Sequence, residues 1–170
     1  SGGFDLLCAN YQLTNTPLQG KAKDYIVYKK GDIKIGVFGL GIELDGLVPQ
    51  ALYRETRYLD PIVHANKIAG ILKNDEGCDY VICLSHLGYK YENSKVSDLV
   101  LAAQTKGIDL ILGGHTHTFL KEPTLVKGSD GKAVVINQAG WAGIQLGRLD
   151  LHFERNKKGR CVSCKNLTVG

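Results

Sequence analysis

Apolar residues in the first half of the chain follow first the two-residue period of strands and then the period of a helix. The predicted elements are strands at residues 6–10, 25–28 and 33–40, and a helix at residues 61–74. Residues 29–32 (Lys-Lys-Gly-Asp) have the composition of a hairpin turn, and Asp60 before Pro61 is a typical helix N-cap. We therefore expect an early hairpin followed by an amphipathic helix.

The second half contains two continuous apolar runs separated by a helical pattern. The predicted elements are strands at residues 79–84 and 108–112, a helix at residues 94–106, hairpin strands at 124–126 and 133–137, and a strand at 144–154. The helix stops at Gly107, a typical C-terminal glycine. Strand, helix and strand in this order imply a right-handed crossover. The expected fold is α/β, a mixed sheet with crossover helices plus hairpins.

Composition excludes several classes of protein. The 170 residues include 21 Lys+Arg and 17 Asp+Glu, a net charge of +4, which is too weak and too scattered for a nucleic-acid surface. The one basic cluster, at residues 155–160, surrounds a turn and is expected to be a solvated hairpin tip. No apolar run approaches the roughly 18 residues of a membrane span. Because the chain lacks methionine, we expect it to be cut from a longer product.

Three of the five histidines come directly after predicted buried strands. His86 follows the strand at 79–84, and His115 and His117 follow the strand at 108–112 through Gly113 and Gly114. Ligands of open α/β sheets bind at the carboxyl edge, so the three imidazoles are expected to converge on one cleft. Imidazole is the commonest metal ligand among side chains, which favours a metal site. The alternative is a polar loop that carries two capping histidines.

The spacing of two residues between His115 and His117 adds a geometric expectation. In an extended backbone this spacing sends both rings to the same side, toward one ion or two adjacent ions. The two glycines before them remove Cβ atoms where the backbone must approach something closely.

A family resemblance sharpens this metal-site hypothesis. Residues 113–118 (Gly-Gly-His-Thr-His-Thr), 85–88 (Ser-His-Leu-Gly) and 140–151 together resemble the calcineurin-like metallophosphoesterases, in their 5'-nucleotidase and UDP-sugar hydrolase branch. Phe4-Asp5 and Ala9-Asn10 resemble the stretch after that family's Gly-Asn-His-Glu-Phe-Asp box. The likeness covers nearly the whole chain.

The resemblance implies half of an αββα sandwich whose sheets meet at a dinuclear metal site. It implies that His86 and His115 bind one ion, such as zinc or manganese, and that His117 binds the other. In that family two divalent ions polarise a phosphoryl oxygen and activate a water molecule that attacks phosphorus. The implied activity is hydrolysis of nucleotides or related phosphate monoesters.

The departures from the family pattern limit what this chain is expected to do alone. The family's Asp-x-His, Gly-Asp and Gly-Asn-His-Glu boxes have no counterpart here, so the carboxylate ligands and the catalytic His-Asp pair are missing. Residues 1–170 are therefore expected to be a single partial domain without its N-terminal half and without a C-terminal nucleotide-binding domain. We expect no catalytic residue, at most one bound ion, and little or no activity in this chain alone.

Two substrate-binding candidates and one candidate near the metal complete the predicted site. Asn137 and Trp141 are expected to line its rim, although Trp141 could simply pack its loop and Asn137 could satisfy turn backbone groups. Asn10 could support the metal ligands from outside or cap the end of its strand. His64 is expected to be a half-buried helix residue and His152 a solvent-facing strand residue.

A different class of function stays open at this point. In that alternative the chain is a non-catalytic module in which the histidines hold one structural metal ion and the surface binds a partner. The resemblance favours the enzyme, with a nucleotide or other phosphate ester as the small-molecule partner and a periplasmic or cell-surface location.

Overall fold

The computed structural model describes residues 3–154 and 159–169, with side chains omitted for 159–162. The strands are β1 (Leu6–Leu7), β2 (Tyr11–Gln12), β3 (Ala22–Lys23), β4 (Tyr25–Lys30), β5 (Ile33–Leu40), β6 (Arg57–Tyr58), β7 (Tyr80–Ser85), β8 (Leu110–Leu112), β9 (Thr124–Lys127), β10 (Ala133–Asn137), β11 (Gln145–Phe153) and β12 (Gly159–Thr168). The helices are α1 (Gln50–Tyr53), α2 (Pro61–Gly70), which continues as a π-helical turn (Ile71–Asp75), and α3 (Asp98–Gln104). The basic cluster predicted as a hairpin tip lies outside the residues with described side chains.

A six-stranded mixed sheet forms the centre of the fold, in the order β4-β5-β7-β8-β10-β9. The four inner strands are parallel and the two edge strands antiparallel. Neighbouring strands place Phe38, Cys83, Ile111 and Ile136 in one row, all fully buried against the helices. This confirms the predicted α/β class with crossover helices, and the hairpins at 25–40 and 124–137.

The helices begin where side chains cap their first turns. Asp60 accepts hydrogen bonds from the backbone N–H groups of Ile62 and Val63, as predicted, and the helical segment runs to Asp75. Helix α3 is shorter than the predicted 94–106, because Ser97 is extended and caps it, and Thr105 is extended at its end. No helix in the described part of the chain is long and apolar enough to cross a bilayer.

The opposite face of the sheet is only partly covered. Strands β11 and β12 form a hairpin, and Leu149, Leu151 and Phe153 pack against Tyr80, Leu110 and Val135. Part of this face is open: Leu84 is 41% exposed, although its strand was predicted to be buried. Leu84 lines a groove of about 750 Å³ together with Tyr28, Val37 and residues 3–7.

The predicted strand at residues 6–10 is the least accurate prediction. The structure divides this region into β1, which pairs with β3, and β2, which pairs with β6. Between them the chain follows β5 instead, where Ala9 donates its N–H to the Gly39 carbonyl. The short elements β3, β6 and α1 were not predicted, because two to four residues are too few to show a period.

Candidate functional site

The loops that follow the parallel strands meet at the carboxyl edge of the sheet. The N–H of His86 donates to the Leu40 carbonyl at the end of β5, and the N–H of Gly113 donates to the Asn137 carbonyl at the end of β10. A cleft of about 330 Å³ opens there, lined by Gly41, Ser85 and His86 among others. The predicted location of the site at this edge therefore matches the positions of these loops.

The structure brings His86 and His115 together. Their ring centroids are 5.2 Å apart, with the rings edge to face. Gly114 makes this possible, since a Cβ atom there would lie 3.1 Å from Nδ1 of His86. Burial, followed by the nearby His86, Lys95 and His117, lowers the pKa of His115 and so favours its neutral, metal-binding form.

His117 takes a different position from the one expected. Its φ is 52° and that of His115 is 69°, so the backbone is left-handed at both residues and not extended. The prediction of an extended backbone that turns both rings to one side is therefore wrong. The His117 ring instead stacks on Trp141, with centroids 5.5 Å apart and planes 10° apart. Among the described residues, no three His, Cys, Asp or Glu side chains cluster closely enough to hold a metal ion.

Gln138 holds the loop that carries both histidines. This side chain is 1% exposed and donates from Nε2 to the Gly114 carbonyl at 2.9 Å. Its Oε1 accepts from the backbone N–H of Thr118 and, at 3.2 Å, from the Thr116 hydroxyl. One buried amide thus supports a loop whose backbone is left-handed at His115 and His117.

Asp98 lies beneath the same loop, and sequence reasoning missed it. The residue is fully buried, the Ser85 hydroxyl donates to its Oδ1 at 2.5 Å, and its Oδ2 has no hydrogen-bond partner in the described structure. Burial raises its pKa to about 7 against the opposing effect of the Ser85 hydrogen bond. An Asp just after an N-cap serine usually indicates an exposed first-turn carboxylate, so the sequence held no signal for this burial.

The Cα of Gly113 touches this carboxyl group. A Cβ atom at that position would lie 2.2 Å from Oδ2 of Asp98 and 3.0 Å from Nε2 of Gln138. Asp98 therefore contacts both histidine loops: through Ser85, next to His86, and through Gly113, just before His115.

The two candidate asparagines have their amides engaged within the protein. Asn10 is fully buried and pairs with both backbone polar groups of Gly41, each at 2.8 Å, which ties the end of β5 to residue 10. Asn137 forms a reciprocal amide pair with Asn166 of β12, at 2.9 and 3.0 Å. The Asn10 side chain thus connects residue 10 to the end of β5, and the Asn137 side chain connects β10 to β12.

Trp141 is 55% exposed beside His117, so its indole lies at the rim of the site. The other two histidines lie elsewhere, as expected: His64 is half-buried in α2 and His152 is exposed in β11.

The His86 and His115 pair has the chemistry of metal ligands, but two imidazoles are only part of a ligand set. Two imidazoles that share a tetrahedral zinc ion at about 2.0 to 2.1 Å have ring centroids about 5 Å apart. The observed 5.2 Å agrees with this. Within the described structure no ring nitrogen of His86, His115 or His117 forms a hydrogen bond. These nitrogens are therefore available to bind a metal ion.

Known proteins resemble this chain in sequence along most of its length. The trifunctional nucleotide phosphoesterase protein YfkN of Bacillus subtilis is 29% identical over 98% of this chain and 12% of its own length. A snake venom 5'-nucleotidase of Gloydius brevicauda is 28% identical over 89% of this chain and 27% of its own length. The chain therefore spans about a quarter or less of these two relatives.

A solved structure and a family profile complete the comparison. The 5'-nucleotidase precursor from Thermus thermophilus superposes with a TM-score of 0.80 at 29% identity, over 97% of this chain and 34% of that one. The family profile described as calcineurin-like phosphoesterase matches residues 7–119, which include His86, His115 and His117. This chain belongs to the calcineurin-like phosphoesterase family.

Proposed function

We propose that this chain is the histidine-bearing part of the catalytic domain of a metal-dependent phosphoesterase that hydrolyses nucleotides or related phosphate monoesters. The observation that carries the proposal is the His86 and His115 pair at the carboxyl edge of the sheet, with centroids 5.2 Å apart. The relatives named as a nucleotide phosphoesterase and 5'-nucleotidases support the substrate class.

In this proposal His86 and His115 hold one divalent ion and His117 holds a second. When bound, the two ions supply the polarisation of the phosphoryl group and the activation of water. The chain's own residues keep the imidazoles in place: Gln138 fixes the loop of His115 and His117, and Asp98 packs between the two histidine loops. At the rim, the exposed indole of Trp141 contacts the substrate, while Asn137 acts through its amide pair with Asn166.

The remaining metal ligands are proposed to come from the other half of the domain. The uncovered sheet face supports this, because its groove carries exposed apolar side chains, including Phe4 at 74% exposed and Leu84. Exposed apolar side chains grouped in one groove are typical of a surface that another part of a protein covers. We propose that the other half covers this face and brings the carboxylate ligands and the catalytic His-Asp pair. The chain alone would then bind at most one ion and be inactive.

The proposed location of the whole protein is the periplasm or cell surface. A relative found in snake venom supports export as a property of the family branch.

Hydrolysis of p-nitrophenyl phosphate and of a nucleoside 5'-monophosphate, with added Mn²⁺ or Zn²⁺, tests the proposal in the full-length protein. We expect turnover that EDTA abolishes and that His115→Ala and His117→Ala remove, while His152→Ala, on the exposed face of β11, retains it. Metal uptake without turnover would contradict the enzyme and support a metal-binding module. Turnover by the 170-residue chain alone would contradict the claim that the site is incomplete.

A further inference from the structure

The His117 ring is positioned in an unusual way for a metal ligand. A ligating histidine normally donates its second ring nitrogen to a carboxylate or carbonyl group, which fixes the orientation of the ring. Within the described structure His117 has no such hydrogen bond, and its ring lies flat against Trp141, 5.5 Å away between centroids. A stack restricts the plane of the imidazole and leaves both nitrogens free at its edge.

We propose that Trp141 is a positioning residue for His117, which it holds by stacking where other metal sites use a hydrogen bond. The proposal rests on the proposed function, since it assigns His117 to a metal ion. It gives Trp141 a task beyond contact with substrate: to keep one ligand ring in a restricted orientation before the metal arrives.

Trp141 can do this because its loop is tied to the loop of His117. The N–H of Gly140, next to Trp141, donates to the carbonyl of Thr118, next to His117, at 3.0 Å. A bridge between Phe119 and Ala139 joins the same two segments. The spacing between indole and imidazole is therefore set by short backbone connections.

The backbone around Trp141 supports the same conclusion. Gly140, Ala142 and Gly143 all have positive φ values, and the Phe119 ring occupies the space that a Cβ atom of Gly140 would need, 2.3 Å away. The chain thus turns sharply on both sides of Trp141 and presents its indole at the rim. Because the indole is 55% exposed, its replacement removes little core packing.

The test measures Zn²⁺ affinity of the full-length protein by competition with a chromogenic chelator, for Trp141→Leu and Trp141→Phe. We expect on the order of tenfold weaker binding in Trp141→Leu, which keeps an apolar side chain but loses the aromatic face. Trp141→Phe keeps a face for stacking and should bind close to the wild type. In NMR spectra of the metal-free protein, the His117 ring protons should lose their ring-current shift in Trp141→Leu and keep part of it in Trp141→Phe.

A His117→Ala arm separates the two proposals. If His117→Ala leaves Zn²⁺ binding unchanged, His117 is not a ligand and the proposed function fails at this residue. If His117→Ala weakens binding while Trp141→Leu binds as the wild type does, only the positioning role is overturned. Thermal unfolding of each variant shows that the loss, where it occurs, is not a loss of fold.

Discussion

The aspartates at the two edges of the central sheet differ in their hydrogen bonding. At the amino edge, Oδ2 of Asp109 accepts from Lys73 Nζ and from the Val81 N–H, both at 2.7 Å. At the carboxyl edge, Asp98 is fully buried and its Oδ2 has no partner in the described structure. Both aspartates adjoin the same parallel strands, but only at the amino edge does the Oδ2 atom accept hydrogen bonds.

The backbone shows the same contrast between the edges. At the carboxyl edge His115 and His117 have left-handed φ values, which cost of order 1–3 kcal/mol each and persist only where the surrounding structure enforces them. Gln138 and the Ser85–Asp98 pair are the groups that hold this region. The amino edge contributes an ion pair and a hydrogen bond to the fold, whereas the carboxyl edge holds His115 and His117 in a less favourable backbone conformation.

The largest expected effect is the loss of a metal ligand at the carboxyl edge. His86→Ala should lower Zn²⁺ affinity and phosphoesterase activity of the full-length protein by at least about 100-fold, more than a supporting residue would. The matched control is His64→Ala in α2, a half-buried histidine that does not line the cleft. Equal activity of the two variants would contradict the assignment of His86.

The next largest effect is a steric loss of stability at Gly113, which precedes the two histidines. Gly113→Ala places a methyl group 2.2 Å from Oδ2 of Asp98, so we expect a loss of about 3 kcal/mol in the free energy of unfolding. Gly70→Ala in α2 meets nothing within 4 Å and should gain up to about 1 kcal/mol, because alanine is the better helix former. Urea unfolding curves measure both. A Gly113→Ala variant as stable as the wild type would show that Asp98 does not fill this space.

The pH dependence of stability tests the buried aspartate at the carboxyl edge. Burial raises the pKa of Asp98 from its ordinary value of 3.8 to about 7, so the folded state holds the proton more tightly than the unfolded state. The resulting stabilisation is complete below about pH 4 and is lost as the pH rises through about 7. Between pH 5 and 7 we expect the wild type to lose about 2 kcal/mol relative to Asp98→Asn, measured by urea unfolding. Parallel pH profiles would contradict a proton on Asp98.

The smallest effect is expected at the amino edge. Lys73→Gln removes the ion pair with Asp109 but leaves the Val81 N–H bonded to the same oxygen. Both partners are about a quarter exposed, so the cost should be about 1 kcal/mol and should fall with added salt. Zn²⁺ affinity should not change. A Lys73→Gln variant with weakened metal binding would mean that the two edges are coupled.

The sequence was most informative where local patterns decide the structure. Strand β5 has the bounds predicted from its alternation, and α2 begins at Pro61 after its Asp60 cap. The placement of His86 and His115 at one sheet edge followed from strand order alone. These features depend on periodicity and on caps, which a single sequence displays.

The features that the sequence did not reveal depend on distant contacts. The left-handed backbone at His115 and His117 is held by Gln138, about twenty residues later in the chain. The burial of Asp98 depends on Gly113, and the amide pair of Asn137 depends on Asn166. None of these partners is marked by spacing or composition, so the order of elements was predictable and the internal support of the site was not.

X-ray absorption at the zinc edge of the full-length protein, loaded with one equivalent of Zn²⁺, tests most directly whether the carboxyl edge is a metal site. We expect imidazole nitrogens at about 2.0 to 2.1 Å from the ion, with the imidazole signal reduced in both His86→Ala and His115→Ala. An unchanged imidazole signal in both variants would contradict it.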